Sequence, residues 1–318
     1  MTFTLPDHWV WDFWFARDGD THHMYFLQAP TSLGDPDLRH RNATVGHATS
    51  TDLRTWTVHD TVLGPSGGDA PDATATWTGS VVRDAQTWRM FYTGSRFLDP
   101  AAHTNVETVL AASASEPGAW TKNASVVVAA DPQWYETLGD GTWHEQAWRD
   151  PWVFADPAGD GGHMLVTARA LGDGERDTGV IGHARSADLS RWEVRPPLSV
   201  PGAGFAHLEV PQLVLIDGRW ALIFSCDSAH LAGTRTGARG GIWAVALEDP
   251  LGPYPVDRAV LVASEKLYSG RITQDEAGRD VMLAFENIGS DGVFVGALSD
   301  PLPVRWENDR LIVEESAS

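Results

Sequence analysis

Ser50-Thr51-Asp52-Leu53-Arg54-Thr55-Trp56 is a short polar turn that ends in tryptophan, and its pattern occurs again further along the chain. It returns as Ser186-Ala187-Asp188-Leu189-Ser190-Arg191-Trp192 and, in a looser form, as Ser299-Asp300-Pro301-Leu302 followed by Trp306. Ser and Asp side chains can hydrogen-bond a turning backbone, and a tryptophan can anchor the strand that follows. A turn that recurs between strand-like segments indicates a repeated structural unit.

The segments around these turns are short, rich in β-branched and aromatic residues, and bounded by Gly, Pro, Asp or Asn. Grouped in fours, they make five units, which run through residues 8–58, 77–128, 149–194, 209–262 and 267–313. The sequence therefore predicts an all-β fold, a five-bladed β-propeller with four antiparallel strands per blade, as a single domain over residues 1–318. A β-sandwich is the alternative, but it does not require a repeated turn.

The composition narrows the classes of partner. A formal net charge of −20 argues against nucleic acid and anionic membrane surfaces. Cys226 is the only cysteine, so no intrachain disulfide is expected. The first residues lack a basic region followed by an apolar run, and no apolar stretch approaches the ~20 residues of a membrane span. A cytoplasmic location is therefore expected.

Three carboxylates stand at the starts of strand-like segments, in Trp11-Asp12-Phe13, Arg149-Asp150-Pro151 and Leu208-Glu209-Val210. If these places are equivalent in their blades, a closed propeller brings all three acids to one axis. Cleavage of a glycosidic bond requires a proton donor and an anion on the two sides of the sugar. The apolar neighbours of Glu209 are expected to raise its pKa, which suits an acid. The sequence therefore predicts a glycosidase site.

Each acid also has a simpler interpretation. Asp12 could cap a turn at the end of a strand, although it stands among Trp and Phe residues where a buried charge is costly. Asp150 could serve only as the ion-pair partner of Arg149. Glu209 could lie on the surface at the start of a strand.

An ordered series of motifs resembles the fructan-active glycoside hydrolases of families 32 and 68. They lie at residues 10–14, at Phe26-Leu27-Gln28 before Pro30, and at residues 46–56, 77–80, 90–94, 148–151 and 208–213. The chain departs from the invertase pattern at Trp11, where Asn is usual, and at Val210, where Cys or Arg is usual. The five predicted blades leave no segment of residues 1–318 for the C-terminal β-sandwich of family 32, so the resemblance is expected to concern the catalytic domain only.

The resemblance implies a retaining glycoside hydrolase or transglycosylase that acts on terminal β-D-fructofuranosides such as sucrose or fructo-oligosaccharides. Asp12 would be the nucleophile, Glu209 the acid/base, and Asp150 the residue that stabilises the transition state. A small carbohydrate would be the substrate, and no organic cofactor is implied. Two alternatives are an inverting arabinan-active hydrolase on a related five-bladed propeller and a non-catalytic sugar-binding propeller.

Six further residues are candidates for binding substrate: Trp11, Gln28, Trp77, Ser80, Arg149 and Tyr268. Trp11 and Trp77 share motifs with polar residues, Ser80 belongs to the second-blade motif, and Tyr268 opens blade five where other blades carry their acids. Gln28 fits pocket lining and strand hydrogen bonding equally well. Bulky residues on a narrow axis predict a blind pocket, with the loops at residues 64–73, 98–107 and 131–146 as its rim.

No spacing of His, Asp or Glu indicates a zinc site, and no Gly-rich loop opens a helix to hold a nucleotide. The sequence thus predicts no metal site. His47 and His183 recur at equivalent third-strand positions, which favours a packing role for both.

Overall fold

The computed structural model describes residues 2–99, 102–141, 143–172 and 176–314. Its strands form five antiparallel sheets, one per blade. Helical structure in the described ranges is limited to short 3₁₀ helices at Thr31–Leu33, Pro36–Asn42, Ser228–His230, Gly233–Arg235 and Val256–Arg258. The predicted all-β five-bladed propeller is confirmed.

The blades follow one another along the chain, each beginning with its innermost strand. Blade one contains β1 (His8–Asp18), β2 (Thr21–Pro30), β3 (Thr44–Ser50) and β4 (Thr57–Leu63). Blade two contains β5 (Ala75–Asp84), β6 (Thr87–Phe97), β7 (Asn105–Ala114) and β8 (Thr121–Val128). Blade three contains β9 (Trp148–Ala155), β10 (Gly162–Arg169), β11 (Gly179–Ser186) and β12 (Glu193–Arg195). Blade four contains β13 (Glu209–Ile216), β14 (Arg219–Cys226), β15 (Gly241–Leu247) and β16 (Val260–Ser264).

Blade five differs from the predicted pattern. It contains β17 (Leu267–Gln274), β18 (Asp280–Ile288), β19 (Phe294–Leu298), β20 (Leu302–Glu307) and β21 (Arg310–Val313). Both β19 and β20 pair with β18, so the third strand is interrupted rather than followed by a turn at Ser299-Asp300-Pro301. Proline at position 301 cannot donate a ladder hydrogen bond, which explains the break. The looser third copy of the turn motif is therefore not a turn between third and fourth strands.

The ring is closed by contacts between innermost strands. β1 contacts β5, β5 contacts β9, β9 contacts β13, β13 contacts β17, and β17 returns to β1. The N-terminal segment joins the last blade, because Phe3 and Leu298 exchange two main-chain hydrogen bonds of 3.0 and 2.9 Å. Hydrophobic clusters fill the spaces between neighbouring blades. Burial of this apolar surface is the main force that holds the blades together.

The repeated turn has the predicted hydrogen bonds. The Ser50 hydroxyl accepts from the main-chain N–H groups of Asp52 and Leu53, and the Asp52 carboxylate accepts from those of Arg54 and Thr55. Ser186 and Asp188 repeat this arrangement in blade three. Leu53 and Leu189 both adopt left-handed backbone, with φ of 59° and 58°. The same side-chain chemistry therefore sets the same turn in both blades.

The tryptophans after these turns pack on aromatic rings. Trp192 of blade three contacts Phe91 of blade two edge to face, with ring centroids 5.2 Å apart. Trp56 stacks on Phe15 with centroids 6.2 Å apart. Trp192 therefore anchors the outer strand of blade three, as predicted, but against the preceding blade and not the next one.

No helix in the ranges covered by the structure has the length and apolarity needed to cross a membrane. Cys226 is buried at the end of β14.

Two histidine pairs occupy equivalent places in blades one and three. His23 on β2 stacks on His47 of β3, and His163 on β10 stacks on His183 of β11. A ring nitrogen of one histidine lies 3.0 Å from a ring nitrogen of the other in the first pair, and 2.8 Å in the second. The packing role predicted for His47 and His183 is confirmed.

We expect these pairs to make the fold acid-labile. Burial lowers the pKa of His47 to about 3 and that of His183 to about 4, against 6.5 for a free imidazole. The unfolded chain therefore binds protons first, so stability present above pH 6.5 is lost as the pH falls toward 4. At pH 5 each histidine costs at most about 2 kcal/mol, from about 1.4 kcal/mol per pH unit.

Urea unfolding at pH 7.5 and pH 5 measures this loss. His183→Gln, which cannot take up a proton, should show a smaller loss of unfolding free energy between the two pH values. His103→Gln is the control because His103 is exposed. An equal pH dependence in His183→Gln and the wild type would contradict the prediction.

Candidate active site

All five innermost strands have a β-bulge at matching positions. The irregularities lie between Trp11 and Phe13, between Trp77 and Gly79, at Asp150-Pro151, between Glu209 and Gln212, and between Tyr268 and Arg271. A bulge breaks the alternation of side chains and redirects them, which is why bulges recur beside active sites. The bulge ring, as we call these five sites, determines which side chains reach the cavity at the propeller axis.

The bulge ring corrects one detail of the sequence prediction. Its first bulged residues are Asp12, Thr78, Asp150, Val210 and Ser269, and the residues just before them are Trp11, Trp77, Arg149, Glu209 and Tyr268. Glu209 is therefore equivalent to Arg149, not to Asp150. The three acids line one cavity as predicted, but they come from two neighbouring positions of the repeat.

Asp12 is held by hydroxyl groups of the two neighbouring blades. Its carboxylate accepts a hydrogen bond of 2.6 Å from Thr78 and one of 2.5 Å from Ser269. Burial raises the pKa of Asp12 above its ordinary value, although both hydrogen bonds oppose this rise. Asp12 is thus not the cap of a turn at a strand end, and its fixed carboxylate faces the cavity.

Asp150 is fixed by its own backbone as well as by its side chain. Its φ of 58° is left-handed, a conformation that costs roughly 1–3 kcal/mol in a non-glycine residue and is concentrated at functional sites. The carboxylate accepts hydrogen bonds from the Thr167 hydroxyl at 2.9 Å and the Val210 N–H at 3.0 Å. Its nearest contact with Arg149 is longer, at 3.6 Å. Ion pairing with Arg149 is therefore not its main interaction.

The three acids influence one another electrostatically. Burial raises the pKa of Asp150 to about 7, with Arg149 opposing this rise and the negative charges of Asp12 and Glu209 adding to it. Asp150 therefore takes up a proton more readily than an ordinary aspartate does. When carboxyl groups in one site have different pKa values, one can act as the acid and another as the base.

Glu209 lies in a polar environment, contrary to the expectation from its sequence neighbours. Its carboxylate accepts from Arg149 at 2.7 Å and from the Tyr268 hydroxyl at 2.6 Å, and His207 Nε2 lies 3.3 Å away. Burial would raise its pKa, but His207, Arg149 and Tyr268 hold it well below its usual range. Burial lowers the pKa of His207 to about 4, so at pH 7 Arg149 supplies the positive charge.

Arg149 connects Glu209 to two further acids, Glu107 and Glu145, which fall in loops predicted as the rim but were not among the predicted catalytic or binding residues. Its Nη1 donates to Glu107 at 3.0 Å and to Glu145 at 2.9 Å, while its Nη2 reaches Glu209. Glu107 is fully buried and also accepts from the Trp148 N–H. Glu107 and Glu145 come from β7 and from the loop before β9, so no motif around Arg149 could reveal both.

The cavity has a volume of about 350 Å³, near the lower end of the range of about 300–1,000 Å³ for small-molecule sites. Trp11, Trp77, Arg149 and Tyr268 line it as predicted. The loop containing His103 and the loop containing His144 also contribute, but residues 64–73 do not. The predicted rim is therefore confirmed for two of the three loops.

Gln28 and Ser80 do not line the cavity, which corrects their predicted binding roles. Gln28 donates to the Thr61 hydroxyl at 2.8 Å, so it connects the second and fourth strands of blade one. The Ser80 hydroxyl accepts from the Val153 N–H at 3.1 Å and ties blade two to blade three. Both side chains are satisfied by the fold itself.

Several residues that line the cavity lie outside the motifs that predicted the site. They are Arg39, His40, Asn105, His207, Asp227, His230 and Asn287. His207, Asp227 and His230 form the one group in the described part of the chain whose potential metal-ligating atoms all lie close together, within 4.8 Å of one another. The only signal available was a histidine two residues before Glu209 and an Asp-x-x-His spacing after β14.

Comparison of the sequence with protein families gives a match. The family described as Glycosyl hydrolases family 32 N-terminal domain matches residues 13–250. A search of curated protein sequences gave no match.

Solved structures share the fold. An inulosucrase from Halalkalicoccus jeotgali, bound to kestose, is 23% identical with a TM-score of 0.79, over 97% of this chain and 87% of that one. A levansucrase from Gluconacetobacter diazotrophicus is 18% identical with a TM-score of 0.75, over 98% and 81%. A GH32 β-fructofuranosidase from Bombyx mori is 16% identical with a TM-score of 0.73. The match covers 98% of this chain and 64% of the silkworm protein.

Proposed function

The chain belongs to glycosyl hydrolase family 32, and from this premise we propose that it cleaves terminal β-D-fructofuranosyl units from sucrose or short fructans with retention of configuration. One observation carries the proposal: three carboxylates with different partners, the buried Asp150 and the partly buried Asp12 and Glu209, line a single small cavity. The names of the similar structures, which include complexes with kestose and with sucrose, support a small carbohydrate as the substrate.

The contacts of each acid support a separate role in this reaction. Asp12 is immobilised by two hydroxyls, which suits a nucleophile that must meet the anomeric carbon in one geometry. Glu209 is reached by Arg149 and Tyr268, and 21% of its side-chain surface remains accessible. It would protonate the leaving oxygen and then activate water or an acceptor sugar. Asp150 would hold ring hydroxyls as positive charge develops on the sugar.

Arg149 would connect substrate binding to the proton on Glu209. The charge of Arg149 lowers the pKa of Glu209 and so favours its ionised form, whereas a general acid must carry a proton. Ring hydroxyls that attract the Arg149 guanidinium would weaken this ion pair. Glu107 and Glu145 would keep Arg149 in place while this occurs.

A substrate panel tests the proposal. Sucrose, kestose, inulin, levan and an aryl arabinofuranoside are incubated with the full chain, and products are followed by chromatography and by NMR of the first anomer released. We expect fructose from the chain ends, as the β-anomer, with little early loss of polymer size. The α-anomer, release of arabinose instead of fructose, or early mid-length oligosaccharides would contradict the proposal.

A further inference from the structure

Beside Glu209 lies the His207/Asp227/His230 cluster, built from two adjacent segments of blade four. His207 precedes β13. Asp227 immediately precedes the short helix that follows β14, and His230 is the last residue of that helix. Asp227 caps this helix by accepting from the His230 N–H at 2.9 Å. Its carboxylate also contacts His230 Nδ1 at 2.8 Å, which fixes the imidazole ring. The cluster is therefore set by the local fold of blade four.

One member of the cluster is an unsatisfied buried group. His207 is only 4% exposed, and its Nε2 makes no hydrogen bond to any other described residue. The Glu209 carboxylate lies 3.3 Å from this nitrogen but does not form a hydrogen bond with it. A buried ring nitrogen without a partner costs about 1–3 kcal/mol, and an ion bound at this cluster would supply that partner.

We propose that His207, Asp227 and His230 bind a divalent transition-metal ion of the zinc class. Imidazole nitrogen with carboxylate oxygen is a donor set that Zn²⁺ prefers. Ligand atoms on tetrahedral zinc are about 3.3 Å apart, given bonds of about 2.0–2.1 Å. The three donors already lie within 4.8 Å of one another, so small rotations of the side chains complete the site.

The position of the site gives the ion a function, and this step rests on the proposed reaction. Glu209 lies next to His207 and is the nearest group for the fourth ligand position. An ion that coordinates Glu209 would withdraw the acid from the leaving oxygen and fill part of the cavity. The ion would therefore be a reversible inhibitor, with no role as a cofactor.

Calorimetric titration of the full chain with Zn²⁺, without substrate, tests binding directly. The wild type should bind one ion per chain, and His230→Gln and Asp227→Asn should each weaken binding by at least about 10-fold. His59→Gln is the matched control, because His59 is an exposed histidine of blade one whose ring lies against His47 and not against the cluster. Absence of binding in the wild type, or unchanged binding in both cluster variants, would overturn the site.

Two further measurements distinguish a failure of the proposed metal site from a failure of the proposed reaction. X-ray absorption of the wild-type zinc complex should show nitrogen or oxygen ligands at about 2.0–2.1 Å, whatever the stability of the variants. Fructoside cleavage should fall on addition of Zn²⁺ and recover with a chelator. Zinc binding by a chain that cleaves no fructoside supports the site and contradicts the proposed function. Zinc binding without inhibition supports the metal site and contradicts coordination of the ion by Glu209.

Discussion

Replacement of Asp12 by asparagine is expected to reduce turnover of the best fructoside by at least about 10⁴-fold, as loss of a covalent nucleophile does in other enzymes. Asparagine keeps the shape of the side chain but cannot form the ester with the anomeric carbon. The fold should remain intact, because burial already disfavours the charge on Asp12. Initial rates measured by fructose release, with circular dichroism and an unfolding midpoint beside them, provide the test.

Asp52→Asn is the matched control for this experiment. Asp52 carries the same side chain in the same blade, but it lies in the outer turn and hydrogen-bonds only its own segment. It should change stability slightly and leave turnover unchanged. A rate for Asp12→Asn within about tenfold of the wild type would remove Asp12 from the reaction.

Glu209→Gln is expected to reduce turnover of sucrose or kestose by roughly 10²–10⁴-fold, the usual contribution of a general acid. The loss should be much smaller for a fructoside with a nitrophenol leaving group, because such a group departs without protonation. Comparison of initial rates on the two substrate types therefore separates a proton donor from a residue that only binds sugar.

Glu193→Gln is the control for the glutamate change, since Glu193 is exposed on β12 and pairs with Arg195. It should not affect either substrate. An equal loss on both substrate types in Glu209→Gln would contradict proton donation by Glu209 and leave it a role in binding.

The repeat explains why the sequence predicted the fold and much of the site. Ser50 and Asp52 determine a turn through side-chain hydrogen bonds that occur again at Ser186 and Asp188, so local chemistry marked the blades. Where local chemistry did not recur, the prediction was wrong. In blade five the segment around Asp300 interrupts a strand instead of turning.

The environment of Glu209 was not predictable for a different reason. Glu209 begins its strand and lies at a bulge that redirects side chains, so its sequence neighbours Leu208 and Val210 say little about what its carboxylate contacts. Its partners Arg149 and Tyr268 come from other blades, 60 and 59 positions away. Separation along the chain also concealed His230, because the pairing of β13 with β14 is what brings it to His207.

Closure of the ring of blades is also required before the catalytic site is complete. The hydrogen bond between Asp12 and Ser269 joins residues 257 positions apart, and Ser269 follows the tyrosine that holds Glu209. Contacts of such long range form late, because closing a long loop must precede any gain from them. A chain in which blade five has not docked on blade one would lack the groups that orient both acids. Hydrolytic activity recovered during refolding should therefore appear together with the final closure of the propeller, after most strands have already formed.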